Sequence, residues 1–178
     1  MKIYTKTGDA GETSLLGGQR VKKSCLEIDA IGEVDELNAS IGILISLLDS
    51  PPGQLITVQH QLFVVGSNIA DVQMQLGSVP KLCPEDITAL EQWIDAMETE
   101  LPKLTQFILP GGHTAAAQSF LARAICRRAE RRVVDVQTKY PALDPFVKQY
   151  LNRLSDALFV LGRWINKKSD SAEVAWKK

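Results

Sequence analysis

Histidine and cysteine are scarce in this 178-residue chain, and the patterns they fail to form narrow its chemistry. His60 and His113, with Cys25, Cys83 and Cys126, lie far apart and show no paired spacing. That excludes a zinc site of the usual C-x2-C or H-x3-H kind and a disulfide framework, and it suits a reducing compartment. Neither histidine follows a glutamate by three residues, so the Glu-x-x-His pairs of ferritin-like di-metal bundles are missing. No metal site built from side chains is expected. No apolar run approaches the ~18 residues that cross a bilayer. The opening MKIYTKTGDAGE has neither the apolar stretch of a signal peptide nor the Arg/Ser-rich pattern of a transit peptide. The net charge is -1, whereas a nucleic-acid binder is more often basic. These absences point to a cytoplasmic protein with neither membrane nor nucleic acid as partner. The length suits one domain over residues 1–178.

What the chain does contain is helical periodicity and one unusual run of arginines. Residues 1–23 are rich in Gly, Thr, Ser and Lys and carry no helical period. Residues 24–168 divide into five amphipathic segments, and 169–178 form a tail. Ser24-Cys25-Leu26-Glu27 has the form of a capping box, so a first helix is predicted from there to Asp49, before Pro51-Pro52-Gly53. Leu55, Val58, Leu62, Val65, Ile69, Val72 and Leu76 alternate by three and four, as a bundle seam does. Pro84-Glu85-Asp86 opens a third helix that fades at Pro102. The Pro110-Gly111-Gly112 breaker precedes a fourth, running to Lys139, and Asp144-Pro145 caps a fifth, running to Lys167. No stretch alternates long enough to predict a sheet. The fold class is an all-α, five-helix bundle with a glycine-rich N-terminal loop.

In the fourth helix Arg123, Arg127 and Arg131 recur every four residues, a turn of roughly 400° per step, so their guanidiniums form one stripe with Phe120, Ala116 and Val134. Ala122, Ile125, Cys126, Ala129, Val133 and Val136 gather opposite, as a core face. Guanidiniums among small and apolar neighbours call for an anion. Salt bridges to Glu130 and Asp135 on a solvated face are the plainer alternative. The first helix also has a core stripe (Ile31, Val34, Leu37, Ile41, Ile45, Leu48) and a second stripe, Ile28, Gly32, Asp35, Ala39, Gly42 and Ser46. Small residues at that spacing admit another backbone, and Asp35 is the one charge among them. Glu33, Glu36 and Ser40 fall on the remaining, solvated face. The fifth helix places Asn152, Asp156, Phe159 and Arg163 beside its core stripe of Leu151, Leu154, Leu158, Leu161 and Ile165. Three helices with a second buried-looking face exceed what a five-helix monomer uses, and an oligomer is expected; tight packing within a single bundle is the plainer alternative.

The segment Thr5-Lys6-Thr7-Gly8-Asp9-Ala10-Gly11-Glu12-Thr13-Ser14 has the chemistry of a phosphate cradle. Glycines let backbone N–H groups converge on an anion, Lys6 supplies charge, and the hydroxyls of Thr5, Thr7, Thr13 and Ser14 donate. Lys23 adds a second ammonium. It is not a Walker A loop, because GxxxxGK[ST] is absent.

Five segments in this order, TKTGDAGETSLLGG with Arg20-Val21-Lys22-Lys23, GEVDELNASIG, FILPGG, CRRAERRV and YLNRLSDALF, resemble the PduO-type ATP:cob(I)alamin adenosyltransferases over nearly the whole chain. The resemblance implies a homotrimer with its active sites at the subunit interfaces. It implies transfer of the 5′-deoxyadenosyl group of ATP to a corrinoid such as cob(I)alamin, with Mg²⁺ on the phosphates and release of triphosphate. By resemblance Thr5, Lys6, Thr7, Gly8, Thr13, Ser14 and Lys23 would hold ATP from one subunit. Arg127, Arg131 and Asn152, with Arg128 and Glu130 nearby, would hold it from the next. Asp35 would pair with Arg127, or alternatively Arg128, across the interface. Phe107 would press on the lower face of the corrin ring, and the tail residue Trp176 is a candidate to cover it. A reductase and an adenosylcobalamin-dependent client enzyme are the macromolecular partners implied. A non-catalytic sensor or chaperone on the same scaffold would share these residues.

Overall fold

In the computed structural model residues 3–4, 6–72 and 76–177 are described. Among them one antiparallel hairpin, β1 (Glu12–Ser14) with β2 (Arg20–Lys22), precedes five helices: α1 (Leu26–Ser46), α2 (Gln54–Ala70), α3 (Pro84–Glu98), α4 (Thr114–Lys139) and α5 (Pro145–Lys168). No helix of the described residues is long and apolar enough to cross a membrane.

α4 and α5 form the tightest seam because α4 meets it with small side chains. Ala115, Ala122, Cys126 and Ala129 are fully buried. Backbones that close put α5 carbonyls within reach of short polar groups. The Ser119 hydroxyl donates to Leu158 O at 2.7 Å, and the Cys126 thiol to Leu151 O at 3.2 Å. The two bonds lie seven residues apart on both helices, a repeat that nearly returns to the same face. Gly162 completes the fit: a Cβ there would stand 2.7 Å from Phe120 Cε1. Leu151, Leu154, Leu158, Leu161 and Ile165 of α5 are buried to 2% exposure or less, each burial stabilising by about 1.5–3 kcal/mol.

α1 runs antiparallel to α4 and is held at three levels. Gln118 Nε2 donates to Ser40 O and Oγ at 3.0 and 2.9 Å. Arg128 donates to Glu33 at 2.5 Å and also to Glu36. Lys139 Nζ meets Glu27 at 2.7 Å. α2 is tied to α1 by a reciprocal amide exchange: Asn38 Nδ2 donates to Gln59 O, and Gln59 Nε2 to Asn38 O. Asp144 caps α5 and His113 caps α4 through Nδ1, which accepts from Ala115 N.

Several boundaries differ from the sequence reading. Ser24 does not cap α1; the helix begins after Cys25, and Glu27 is 2% exposed and turned to Lys139. A carboxylate that finds an ammonium gains more than one returning to its own backbone. α1 ends at Ser46, short of Asp49. α2 ends at Ala70, so Leu76 is not part of its seam; Asp71 instead accepts from Leu76 N in the following turn. The glycine-rich segment contains a two-stranded sheet that no alternation announced, since three-residue strands are too short to show one. Ser40 is buried, not solvated, because Gln118 satisfies it. Phe120 and Ala116 are buried as well, so the arginine face of α4 opens only from Arg123 onward.

Candidate active site

The N-terminal cradle is held by its own backbone and by one arginine. Lys6 and Gly11 have φ of 61° and 83°, the left-handed region, and reverse the chain twice within six residues. Gly11 N donates to Gly8 O at 3.2 Å, and Lys23 N to Gly11 O at 2.9 Å. Gly17 and Gly18, with φ of 87° and 88°, turn the hairpin, and Leu16 N donates to Ala70 O at 3.2 Å, docking it on the end of α2. Arg20 donates to Thr7 O at 3.0 Å and to Ser14 Oγ at 3.4 Å, and pairs with Glu12 at 3.6 Å. The Lys23 ammonium lies over Gly8, where a Cβ would stand 3.1 Å from Nζ. Lys6, Thr7 and Gly8 therefore lie in the loop before the hairpin, Thr13 and Ser14 on β1, and Lys23 just past β2, with its ammonium over Gly8. Thr5 lies outside the described residues. Arg20 belongs to the motif but was not singled out as a site residue; its distance in sequence from Thr7 hides the clamp.

The arginines of α4 divide into two sets about 100° apart. Arg128 and Arg132 face α1 and are engaged, Arg128 with Glu33 and Glu36, Arg132 with Asp29 at 2.9 Å and Asp135 at 3.7 Å. Glu33 and Glu36 are thus partners of α4 and not a merely solvated face. Arg123 stacks its guanidinium 5.3 Å from the Phe159 ring. Arg127 and Arg131 are exposed and form no ion pair with any described residue. On the α5 side of the same face Glu130 Oε1 accepts from Asn152 Nδ2 at 2.9 Å, so these two arrive together. Glu130 is consequently not the partner of the arginine stripe. Arg163, grouped with Asn152 on the fifth helix, is instead 3% exposed and pairs with Glu173 at 2.8 Å.

Asp35 sits on the exposed small-residue stripe of α1, beside a groove lined by Asn38, Ala39, Ile56, Gln59 and Phe63. It meets no arginine among the described residues. Phe107 is 78% exposed, with its ring edge-on to Trp176 at a centroid distance of 6.3 Å. The tail beyond α5 reaches it as an antiparallel partner, Ile108 opposite Ala175. At the level of sequence, Phe107 and Trp176 come together only through a shared ligand; their direct contact, almost 70 residues apart, carries no sequence signal.

A glycine-rich loop carrying two ammoniums, and a helix face with two guanidiniums that pair with no described residue, have the chemistry to hold a polyanion on a helical bundle. The comparison with known proteins is more specific. The cobalamin adenosyltransferase family model matches residues 3–165. A cobalamin adenosyltransferase from Cupriavidus metallidurans is 43% identical over 99% of this chain and 95% of its own length. A corrinoid adenosyltransferase from Bacillus subtilis is 42% identical over 100% and 93%. Among solved structures, a variant PduO-type ATP:corrinoid adenosyltransferase from Lactobacillus reuteri, complexed with cobalamin and ATP, superposes with a TM-score of 0.93 at 33% identity, covering 99% of this chain and 97% of that one. The chain belongs to the cobalamin adenosyltransferase family.

Proposed function

We propose that this ATP:corrinoid adenosyltransferase builds its active site between subunits of a homotrimer, with the glycine-rich loop of one chain facing the α4 arginines of the next. One observation carries the reading. The loop docks on the end of α2, whereas Arg127 and Arg131, paired with no described residue, project from the exposed side of α4, between its α1-facing and α5-facing residues. Each half presents cationic side chains on its own face: Lys6 and Lys23 in the loop, Arg127 and Arg131 on α4. A groove between α1 and α2 stands open beside Asp35, edged by Ile56 and Phe63, which are 48% and 68% exposed. That patch suits a subunit contact, and Asp35 there is free to take Arg127 of the neighbour. Arg128 is satisfied by Glu33 and Glu36 and is assigned to the α1–α4 clamp.

The chemistry asks little of nucleophilic side chains. Cobalt(I) itself attacks C5′ of ATP; the cobalt–carbon bond forms, the C5′–O bond breaks, and its electron pair leaves on triphosphate. The protein's task is to hold C5′ in line with cobalt and to neutralise the departing charge. Lys6, Lys23 and the hydroxyls of Thr7, Thr13 and Ser14, with Thr5 by resemblance, grip the phosphates from one side. Arg127, Arg131 and Asn152, which Glu130 orients, grip ATP from the other. Mg²⁺ travels with the phosphates as part of the substrate. Phe107 lies under the corrin as an apolar plate that excludes the lower axial ligand, and four-coordinate cobalt(II) is then easier to reduce. A reductase supplies that electron, and an adenosylcobalamin-dependent enzyme receives the product.

The test combines two inactive variants. Lys23→Ala and Arg127→Ala are mixed under conditions that exchange subunits and supplied with chemically reduced cob(I)alamin, ATP and Mg²⁺. Random assembly places two intact halves together at about one site in four, so about a quarter of wild-type turnover returns. The light-sensitive product is followed by absorbance. Failure of the exchanged mixture to regain activity would place both halves in one subunit. Binding of ATP and corrinoid without product in the wild type would favour a sensor or chaperone.

A further inference from the structure

We infer that Arg163 and Glu173 are positioning residues for the corrinoid half of the reaction, acting through the C-terminal tail as a strap that fixes Phe107. This rests on the reading above that Phe107 faces the corrin ring.

Arg163 lies in α5 at 3% exposure, where a guanidinium is stable only if its donors are met. Its Nε donates to Glu173 Oε1 at 2.8 Å, and its Nη2 to Glu173 Oε2 at 3.4 Å and to Pro102 O at 2.9 Å. One side chain thereby joins α5, the segment leading from α3 to α4, and the tail. The tail next runs antiparallel to residues 107–109. Leu109 N donates to Val174 O at 2.8 Å, and Trp176 N to Phe107 O at 2.8 Å. Further up the same segment Asn166, at 2% exposure, donates to Gly111 O and accepts from His113 N, both at 2.9 Å. Ser171 N closes the tail's turn on Asn166 O at 2.9 Å.

Phe107 is far too exposed for the core to hold it. Its backbone is braced by the strap, and its ring is met edge-on by Trp176, itself 46% exposed. Two aromatic rings left facing solvent, yet fixed through an ion pair on the buried Arg163, have the character of a preorganised apolar contact. Glu173 sets the registry: the residues that pair with 107–109 follow it directly. Without its charge the tail loses its anchor, and Phe107 meets the corrin only after paying the entropy of ordering the loop.

The test uses the full chain with Glu173→Gln, and Trp176→Ala as the variant whose exposed site leaves folding unthreatened. Two readouts separate positioning from simple structural damage. Hydrogen exchange reports the amides of Leu109 and Trp176, which should exchange about tenfold or more faster in Glu173→Gln. The spectroscopic signal of four-coordinate cob(II)alamin in the presence of ATP should fall several-fold in both variants, with the KM for ATP unchanged. Phe107→Ala serves as reference. Unchanged exchange in Glu173→Gln overturns the inference. Faster exchange with a wild-type four-coordinate signal also overturns it, provided Phe107→Ala loses the signal. If Phe107→Ala keeps the signal, the assignment of Phe107 is wrong and the strap's role falls with it. Should Glu173→Gln fail to fold, Trp176→Ala decides alone: an undiminished signal refutes, a diminished one supports.

Discussion

Gly112→Ala should destabilise the protein far more than the same change one residue earlier. Gly112 has φ of 98°, and a Cβ there would stand 2.2 Å from Asn166 Oδ1 and 2.7 Å from Cγ and Nδ2. Asn166 cannot retreat, because its amide bridges Gly111 O and His113 N from a buried position. Displacing it breaks two hydrogen bonds to protein groups, at about 1 kcal/mol each and more where a buried partner is left unmet. An alanine forced to positive φ adds about 1–2 kcal/mol. The stiffer unfolded chain returns about 0.4–1 kcal/mol. The net loss is about 2–4 kcal/mol, or a melting temperature lower by about 10 °C for a chain of this size. Gly111→Ala is the control: its Cβ meets nothing within 4 Å, so its effect should stay within about 1 kcal/mol. Urea unfolding of both variants at one fixed protein concentration makes the comparison, since subunit association would otherwise enter. A loss below about 1 kcal/mol for Gly112→Ala, or equal losses for the two glycines, would refute the steric reasoning.

Burial by itself would raise the Glu27 carboxyl, but hydrogen bonds from Lys139 and Tyr140 outweigh it and hold the carboxyl at about 2, below the ordinary 4.5. Its contribution is complete above about pH 4.5 and fades as pH falls towards 2; with an exposed lysine as partner it amounts to about 1–2 kcal/mol, and Glu27→Gln should flatten that limb of a stability–pH curve. Arg127→Ala should lower kcat/KM about 10²- to 10³-fold, as loss of one fixed donor to developing charge does. Arg128→Ala should leave kcat/KM within a few-fold and cost no more than about 1 kcal/mol of stability, because Arg128 and its partner Glu36 are both about half-exposed; equal kinetic damage in the two variants would sink the division of the arginines. Gly162→Ala drives a methyl to 2.7 Å from the Phe120 ring, which Phe159 backs at 6.0 Å, and should cost about 1–3 kcal/mol by thermal unfolding; a neutral or stabilising result would mean that the ring swings away freely.

The core was legible in the sequence wherever a periodic pattern met a continuous helix. Ala122, Ile125, Cys126, Ala129, Val133 and Val136 are all buried, because a 26-residue helix keeps one phase along its length. The boundaries were less legible, because they depend on tertiary partners. Glu27 looked like a capping residue while its real partner, Lys139, lies at the opposite end of the chain's longest helix. The seam through Val72 to Leu76 continued in sequence after the backbone had turned at Asp71. Periodicity counts residues, and it cannot register that the chain has left the helix.

The candidate site showed in the sequence as composition, but its geometry did not. Lys6, Thr7, Gly8, Thr13 and Ser14 are neighbours in sequence, so a cradle follows from local turns alone. The arginine run of α4 looked uniform until α1 sorted it: Glu33 and Glu36 take Arg128, Asp29 takes Arg132, and the residues left over are Arg127 and Arg131. Which cations remain free for a ligand is thus decided by which carboxylates the fold brings near, and no spacing rule within α4 contains that. The tail marks the same boundary from the other side. Glu173 follows α5 as an unremarkable acid in a short polar segment, yet it meets a buried guanidinium and aligns the strand that braces Phe107. A charge whose partner is ten residues away on a helix, and whose effect falls on a residue nearly seventy positions earlier, has no signature in one dimension. It becomes visible only when burial shows that Arg163 would otherwise stand uncompensated.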